Sequence, residues 1–382
     1  MGHDERMVTL AQLADSPAGP AAAATGSTVP KPEDCPPPRQ LSSMEEVRAS
    51  LSADWLQWVA ENRLRGCTPE SMMQTMTGAG VAPALARAAI ELIKDDPVYQ
   101  AFTPFRQLQR KLESVLSNLQ KLQASAPHYA QVDRRSKLSR DEFMERYVWP
   151  ARPVVITDLA DDWPARKKWT PLYLKERFGD VEVEVQADRN SDKRYEANKL
   201  KLRQRVRLGD FVDRVLTGSP TNDYYLTANN EALKDPRLAA LLDDVGTLPP
   251  YCDRSRLASL SSLWFGPAGA ITPLHHDTIM LMHTQIVGRK RWRFISPLDT
   301  PRVYNHVGVF SEVDLDQPDL IRHPAIAEVK VCEAVVEPGE TIFLPLSWWH
   351  QVTSLDMCIS FSFTNLEVPN SYSYENPDVH HW

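Results

Sequence analysis

Three candidate metal ligands constrain this sequence more than any other feature. His275 and Asp277 are separated by a single residue, and His350 lies far downstream. Because side chains alternate along a β-strand, His275 and Asp277 would project from the same face. The third ligand must then come from a strand that is distant in sequence but adjacent in space, which favours a sandwich or barrel. Two histidines and one carboxylate form the set that holds Fe(II) on one face and leaves other positions open.

A lysine shares a strand face with aromatic residues close to the first two ligands. Between residues 290 and 295, the alternation places Lys290, Trp292 and Phe294 on one face and two arginines on the other. This pattern predicts that Lys290 points inward. A buried ammonium group needs an anionic partner, and the terminal carboxylate of 2-oxoglutarate would meet that need.

Three phrases in the chain resemble the JmjC/cupin-like family of Fe(II)- and 2-oxoglutarate-dependent oxygenases. They are WFGP-x-G-x-x-[ST]-PLH-x-D, the G-x-K that places a lysine fifteen residues after the first ligand, and PGE…PLSWWHQV. The resemblance spans about residues 138–366 and points to the small hydroxylases, both factor-inhibiting-HIF-like and arginyl-hydroxylase-like. It implies a mainly β fold with helical decoration, in which a double-stranded β-helix, or jelly roll, follows an α-helical N-terminal region.

The resemblance also implies the roles of individual residues. The implied Fe(II) ligands are His275, Asp277 and His350. The implied 2-oxoglutarate ligands are Lys290, Thr272 and Tyr225. With O2 as the second cosubstrate, such a site hydroxylates an unactivated C–H bond, and the family indicates a protein or peptide side chain as the substrate. The alternatives are demethylation of N-methyl-lysine, hydroxylation of a small metabolite, and a non-catalytic cupin scaffold.

One position departs from the family pattern. The hydroxylases commonly carry an asparagine six residues after the first histidine ligand, where this chain has Leu281. The polar contacts at the iron-bound end of the cosubstrate must therefore differ, and Ser362 or Asn365 could compensate. Three other histidines are not predicted to bind metal: His276 should face away from the ligands, and His283 and His306 are expected to be ordinary polar residues.

Composition divides the chain into three parts. Residues 1–45 are rich in Pro and Ala and are predicted to be a disordered leader. Residues 46–126 are predicted to be helical, and their first part, 46–97, is either a docking module or an appendage that packs on the enzyme. Residues 127–382 form the predicted catalytic domain, in which the polar segment 299–324 is a candidate substrate rim. The alternating stretch 199–207 is predicted to be an exposed strand whose basic face starts at Lys199; this face either attracts an acidic substrate or is a solvated edge.

The helical region contains apolar residues at alternating intervals of three and four, which we name the heptad seam. The seam consists of Phe105, Leu108, Leu112, Val115, Leu119 and Leu122. It covers fewer than three heptads, which is short for an independent coiled coil. Two interpretations remain open: the seam pairs with a second copy in a homodimer, or it packs on the preceding helices.

Charge and cysteine content limit the compartment and the partners. The net charge of −7 provides no general attraction to nucleic acid. The five cysteines are scattered without a CxxC pair, which is typical of a reducing compartment. No apolar run reaches the roughly 18–20 residues of a membrane span, and the first residues lack the apolar core of a signal peptide. We therefore expect a cytoplasmic protein.

Overall fold

The structure is a computed structural model that describes residues 41–129, 131–228 and 230–370, without the side chains of residues 306 and 307. Most of the predicted leader and the prediction for the His306 side chain lie outside the described residues. The chain divides into two compact units, the first ending at Leu108 and the second beginning at Gln109. Each unit is described by itself below.

The first unit is helical, as the sequence predicted. Its helices are α1 (Met44–Ser50), α2 (Ala53–Arg65), α3 (Pro69–Gly78), α4 (Pro83–Leu92) and the first part of α5 (Pro97–Ala124). The side-chain oxygens of Ser43, Ser52 and Thr68 accept hydrogen bonds from backbone N–H groups in the first turns of α1, α2 and α3. Gly66 ends α2 with a φ of 88°, a left-handed conformation that glycine adopts without a steric cost. Ser52, as the N-cap of α2, separates this helix from α1.

The second unit consists of β-strands surrounded by short helices. Its helices after α5 are α6 (Arg140–Phe143), α7 (Ala165–Lys168), α8 (Pro171–Phe178), α9 (Leu208–Thr217) and α10 (Pro236–Ala239). Its strands are β1 (Asp133–Arg135), β2 (Val154–Ile156), β3 (Glu182–Gln186), β4 (Arg203–Arg207), β5 (Ser261–Gly266), β6 (Ile271–His276), β7 (Leu281–Val287), β8 (Lys290–Ile295), β9 (Asn305–Val307), β10 (Phe310–Ser311), β11 (Cys332–Val336), β12 (Thr341–Leu344), β13 (Trp349–Ser354) and β14 (Cys358–Phe363).

Twelve of these strands form two six-stranded sheets. The strand order is β1-β2-β12-β7-β14-β5 in one sheet and β11-β8-β13-β6-β10-β9 in the other. From β5 to β8 and again from β11 to β14, each strand lies in the opposite sheet from the strand before it. Within each sheet these strands pair antiparallel with their neighbours. Strands that are far apart in sequence thus become neighbours. This arrangement confirms the predicted jelly roll with helices around it.

The stretch 199–207 forms a shorter strand than its alternation predicted. β4 begins at Arg203, while Lys199–Lys201 forms a 3-10 turn. The physical reason is the length of the partner: β3 has five residues, and its pairing with β4 runs from Gln186–Arg203 to Glu182–Arg207. Lys199 therefore does not share the basic face of the strand, and the expectation that it does was wrong.

The heptad seam lies along one face of α5 and is exposed to solvent. Its residues are 45–70% exposed, whereas Gln120 on another face of the helix is buried. The choice between pairing with a second copy and packing on the preceding helices stays a prediction. None of the described helices combines the length and the apolar character that crossing a membrane requires.

Candidate metal centre

The strand register brings the three predicted ligands together. β6 and β13 are antiparallel neighbours in which His275 pairs directly with His350. Asp277 follows the end of β6, and its carboxylate oxygens lie 3.7 Å from His275 Nε2 and 3.9 Å from His350 Nε2. One ligand atom from each residue lies within 4.8 Å of the others, so the group could hold a metal ion. It combines two imidazole nitrogens with one carboxylate, a donor set that suits Fe(II).

Backbone carbonyl groups fix the orientation of both imidazole rings. His275 Nδ1 lies 2.8 Å from the carbonyl oxygen of Pro273, and His350 Nδ1 lies 2.9 Å from that of Trp348. Since a carbonyl oxygen only accepts, each Nδ1 must carry the proton, which leaves the Nε2 lone pair for a metal. The tautomers required for coordination are therefore set by the main chain.

The electrostatics of the triad also favour a bound cation. Burial lowers the pKa of His350 well below its usual value, so this residue remains neutral and able to coordinate at physiological pH. Burial raises the pKa of Asp277, although the neighbouring histidines act in the opposite direction. An unpaired carboxylate is thus disfavoured here, and a divalent cation would supply the missing positive charge.

A cavity of about 590 Å³ opens beside the triad, and all six predicted site residues line it. They are His275, Asp277, His350, Lys290, Thr272 and Tyr225. The predicted rim segment 299–324 contributes Val309 and Phe310 to the lining, and the Phe310 ring lies 5.8 Å from the His275 ring. The triad and the lysine therefore belong to one enclosed space.

Lys290 points inward, as the strand alternation predicted. It is 1% exposed, and its Nζ donates to the Tyr225 hydroxyl at 2.9 Å and to Ser360 Oγ at 2.8 Å, with His283 Nε2 at 3.3 Å. These described partners are all neutral. Burial lowers the pKa of Lys290 to about 8, because the ammonium ion has lost water without gaining a carboxylate. The end of the cavity at Lys290 therefore lacks a negative charge.

Thr272 and Tyr225 reach the cavity from two other elements. Tyr225 forms an isolated β-bridge with Gln186 and is 2% exposed. Thr272 lies on β6, three residues before His275, and lines the cavity without a described hydrogen bond to Lys290. The direct pairing of Tyr225 with Lys290 fits the expected arrangement, whereas the contribution of the Thr272 hydroxyl stays a prediction.

The two residues expected to compensate for Leu281 behave differently. Ser362 lines the cavity, and its Oγ accepts a hydrogen bond from Trp264 Nε1 at 2.8 Å. Asn365 is buried and donates to the Asp253 carbonyl oxygen at 2.7 Å, away from the residues that line the cavity. Of the two, only Ser362 has the position that such a role requires.

His276 and Lys199 also line the cavity. The His276 ring packs 4.7 Å from the Trp349 ring and lines the same cavity as the candidate ligands, although it is not one of the three residues in the candidate ligand group. Lys199 is placed there by the turn that precedes β4, and its charge interacts with Asp277. The regular alternation of residues 199–207 predicted that Lys199 belongs to a strand. No pattern in the sequence predicted that it lines the cavity.

His283 is the most important residue that the sequence analysis missed. It was expected to be an ordinary polar residue, yet it is 3% exposed, lines the cavity and contacts Lys290. Leu281 lies two residues earlier on β7 and also lines the cavity. The alternation of β7 could have revealed this shared face once Leu281 had been assigned to the site.

A comparison with protein families identifies the fold family. The model of the cupin-like domain matches residues 140–364, which is more than half of the chain. The chain belongs to this family. The resemblance to JmjC/cupin-like proteins that the motifs predicted is therefore confirmed.

Relatives of the chain include proteins named for two kinds of lysine chemistry. It is 36% identical over 244 residues to the lysine-specific demethylase JMJ30 of Arabidopsis thaliana, covering 61% of this chain and 54% of the relative. It is 29% identical over 233 residues to lysine-specific demethylase 8 of Xenopus tropicalis, covering 59% and 50%. It is 28% identical over 263 residues to the human bifunctional peptidase and (3S)-lysyl hydroxylase JMJD7, covering 61% and 83%. The chain thus spans about half the length of the first two relatives.

Proposed function

We propose that the chain is an Fe(II)- and 2-oxoglutarate-dependent dioxygenase that hydroxylates a C–H bond of a protein or peptide side chain. The observation that carries the proposal is the placement of the His275–Asp277–His350 triad and buried Lys290 in one cavity. A metal site alone would suit many proteins, and a buried lysine alone could be structural. Together they provide one site for a redox metal and another for a small dicarboxylate.

The proposed iron ligands are His275, Asp277 and His350. These residues would hold Fe(II), which with 2-oxoglutarate and O2 would supply the oxidising power for C–H hydroxylation, with 2-oxoglutarate converted to succinate and CO2. The chain orients the two imidazoles through its carbonyl groups and provides a carboxylate that a cation stabilises. The catalytic domain of the proposal comprises residues 127–382.

The proposed 2-oxoglutarate ligands are Lys290, Thr272 and Tyr225. The Lys290 ammonium pairs with the terminal carboxylate, while the hydroxyls of Tyr225 and Thr272 orient it by hydrogen bonds. A dicarboxylate brings the negative charge that this end of the cavity lacks. Aromatic side chains such as Trp264 and Trp292 line the same space and limit the entry of water.

A second candidate reaction is demethylation of N-methyl-lysine. It is favoured by the names of two relatives, which are lysine-specific demethylases, whereas a third is named as a lysyl hydroxylase. Both reactions use the same metal centre and cosubstrate, so they differ only in the C–H bond that the cavity presents. Hydroxylation of a small metabolite and a non-catalytic scaffold remain as further outcomes of the test.

Succinate formation tests whether the protein is an oxygenase. The purified full chain is incubated aerobically with Fe(II), 2-oxoglutarate and ascorbate, and succinate is measured with and without a candidate peptide library. We expect peptide-stimulated succinate that disappears in the Asp277→Ala variant. A scaffold gives no succinate with either protein, which contradicts the proposal. Mass spectrometry then separates the two reactions by a gain of about 16 Da or a loss of about 14 Da on the peptide.

We also propose a homodimer formed through the heptad seam. Exposed apolar side chains in this number on one helix face are typical of an interaction surface. Val98 and Ala101 are exposed and continue the same spacing toward the start of α5. The a and d positions of a coiled coil recur with this spacing, and two copies of such a seam are complementary to each other.

The proposed compartment is the cytoplasm. The four cysteines among the described residues are free, and three of them are buried. Free, scattered cysteines are typical of proteins that work in a reducing environment.

A further inference from the structure

Leu281 places an apolar side chain at the candidate cosubstrate site. The hydroxylases that this chain resembles commonly carry an amide side chain at this position, but here an apolar side chain lines the cavity. A cavity that takes up a dicarboxylate needs hydrogen-bond partners for its oxygens, because unsatisfied polar groups are costly in an enclosed space. Hydrogen-bond partners for the cosubstrate must therefore come from other residues that line the cavity.

His283 occupies the same face of β7 as Leu281, two residues further along the strand. It lines the cavity and is 3% exposed. Its ring lies 5.4 Å from the Trp264 ring and 5.1 Å from the Trp292 ring, at steep interplanar angles of 60° and 70°. Two tryptophans therefore hold the imidazole in one orientation.

The contact with Lys290 determines the tautomer of His283. The Nε2 atom lies 3.3 Å from Lys290 Nζ. An ammonium group can only donate, so Nε2 must accept and Nδ1 must carry the proton. Burial lowers the pKa of His283 well below its usual value, and the charge of Lys290 lowers it further. The ring is thus neutral, with one acceptor for the lysine and one N–H donor.

Three neutral groups together direct the Lys290 ammonium ion. The hydroxyls of Tyr225 and Ser360 and the His283 ring are its described hydrogen-bond partners. Tyr225 and His283 line the cavity, whereas Ser360 is fully buried and absent from its lining. Ser360 therefore contacts the amine on the side away from the cavity, and His283 contacts it on the side that faces the cavity. A carboxylate that reaches Lys290 from the cavity also meets the imidazole.

We propose that His283 is a positioning residue for the 2-oxo dicarboxylate cosubstrate, holding Lys290 at the end of the cavity that takes the terminal carboxylate. This inference rests on the proposed function, since it assumes that a dicarboxylate occupies the cavity. It assigns to this chain a recognition residue that neither the motif nor the family pattern identified. His283 does not take part in the chemistry and acts on the affinity for the cosubstrate.

The experiment measures 2-oxoglutarate binding without turnover. The full chain is loaded with Mn(II), which is redox-inert here, and the Kd for 2-oxoglutarate is determined by calorimetry for the wild type, His283→Phe and His283→Gln. Phe keeps an aromatic ring but has no acceptor, whereas Gln keeps an acceptor and a donor. We expect His283→Phe to weaken 2-oxoglutarate binding about tenfold or more, as for loss of a hydrogen bond to a charged group, and His283→Gln to recover most of the affinity.

Controls separate a positioning role from a structural one. His323→Gln changes another buried histidine, one that packs against Tyr304 and does not line the cavity. The Kd for 2-oxoglutarate should not change in this variant, and the Kd for Mn(II) should not change in any of them. Wild-type protein that binds Mn(II) but not 2-oxoglutarate contradicts the proposed function itself. Wild-type affinity in His283→Phe, or equal losses in His283→Phe and His283→Gln, overturns the role of His283 while leaving the proposed function intact.

Discussion

The Nζ atom of Lys290 lies 2.9 Å from the hydroxyl of Tyr225, 65 residues earlier in the chain. The contact joins β8 to the bridge beside β3 and places a cation and a hydroxyl at the same end of the cavity. Both groups are buried, so their polar atoms contact neighbouring protein groups and whatever occupies the cavity. The first two predictions follow from this pair.

Replacing Lys290 should weaken 2-oxoglutarate binding without removing the metal. Truncation of one buried partner of a charge-assisted pair costs about 2–5 kcal/mol, which corresponds to roughly 30-fold or more in affinity. Lys290→Ala should therefore raise the KM for 2-oxoglutarate by about this factor. Lys290→Arg should be intermediate, because a planar guanidinium group must fit the same space. An unchanged KM in Lys290→Ala would mean that the carboxylate is held elsewhere.

The affinity for 2-oxoglutarate should fall as the pH rises above about 8. The pKa of Lys290 is lowered to about 8, so the ammonium form dominates below this pH and is lost above it. Binding to the Mn(II)-loaded protein should weaken roughly tenfold between pH 7 and pH 9. Lys290→Arg is the matched control, since arginine stays protonated across this range and its binding curve should be flat. A wild-type curve as flat as that of the variant contradicts the pKa shift.

Removing a triad ligand should abolish metal binding and leave the jelly roll folded. His275→Ala or Asp277→Ala should lose Mn(II) binding in electron paramagnetic resonance titrations, because two protein ligands remain of the three. The thermal midpoint should change little, since burial raises the pKa of Asp277 and the carboxylate contributes no stability without a cation. His276→Ala should retain the metal, because His276 lies outside the ligand group. Loss of metal in His276→Ala together with retention in His275→Ala would reverse the assignment.

The proposed dimer can be tested on the second half of the heptad seam. Leu112 and Leu119 occupy equivalent positions one heptad apart and are 54% and 45% exposed. The double change Leu112→Asp and Leu119→Asp places charges in any interhelical contact and should give a monomer in sedimentation velocity. Because both side chains are exposed, the double variant should lose little stability against unfolding if the seam makes no contact. Wild-type protein that already sediments as a monomer excludes this mode of association.

A buried ion pair should support the wall that carries Tyr225. Arg189 Nη2 lies 2.9 Å from Glu196 Oε1, both side chains are at least nine-tenths buried, and the guanidinium lies 5.4 Å from the centre of the Tyr225 ring. Glu196→Ala leaves a buried arginine without its anion, a change that costs about 3–5 kcal/mol. A clear drop in the thermal midpoint is expected. The double variant Arg189→Met and Glu196→Met should be much closer to wild type, and equal losses in both would argue against the pair.

The sequence predicted those parts of the site that depend on local alternation. The inward direction of Lys290 and the common side of His275 and Asp277 follow from the period of two along a strand. The pairing of His350 with His275 depends on the register between β6 and β13, which sequence spacing does not determine. The place of Tyr225 came from the family resemblance, because an isolated bridge has no sequence pattern of its own.

Two residues that line the cavity, Lys199 and His283, were not predicted to do so. Residues 199–207 alternate over their whole length, but β3 offers only five residues for pairing, so Lys199 turns into the cavity instead. His283 lies on β7, and its place in the site depends on its contacts with Lys290 and with the two tryptophans, which come from other strands. In both cases the outcome depended on tertiary neighbours that local sequence does not encode.

The carbonyl groups of Pro273 and Trp348, each two residues before a histidine ligand, hold the imidazole rings by main-chain atoms. Side-chain substitutions around the cavity therefore do not remove the groups that aim the ligands. The side chains that line the cavity and select a substrate could therefore be substituted while the metal centre is retained. This separation makes the scaffold suitable for retargeting: libraries at the rim should yield many variants that still take up metal, with losses concentrated where the strands themselves are disturbed.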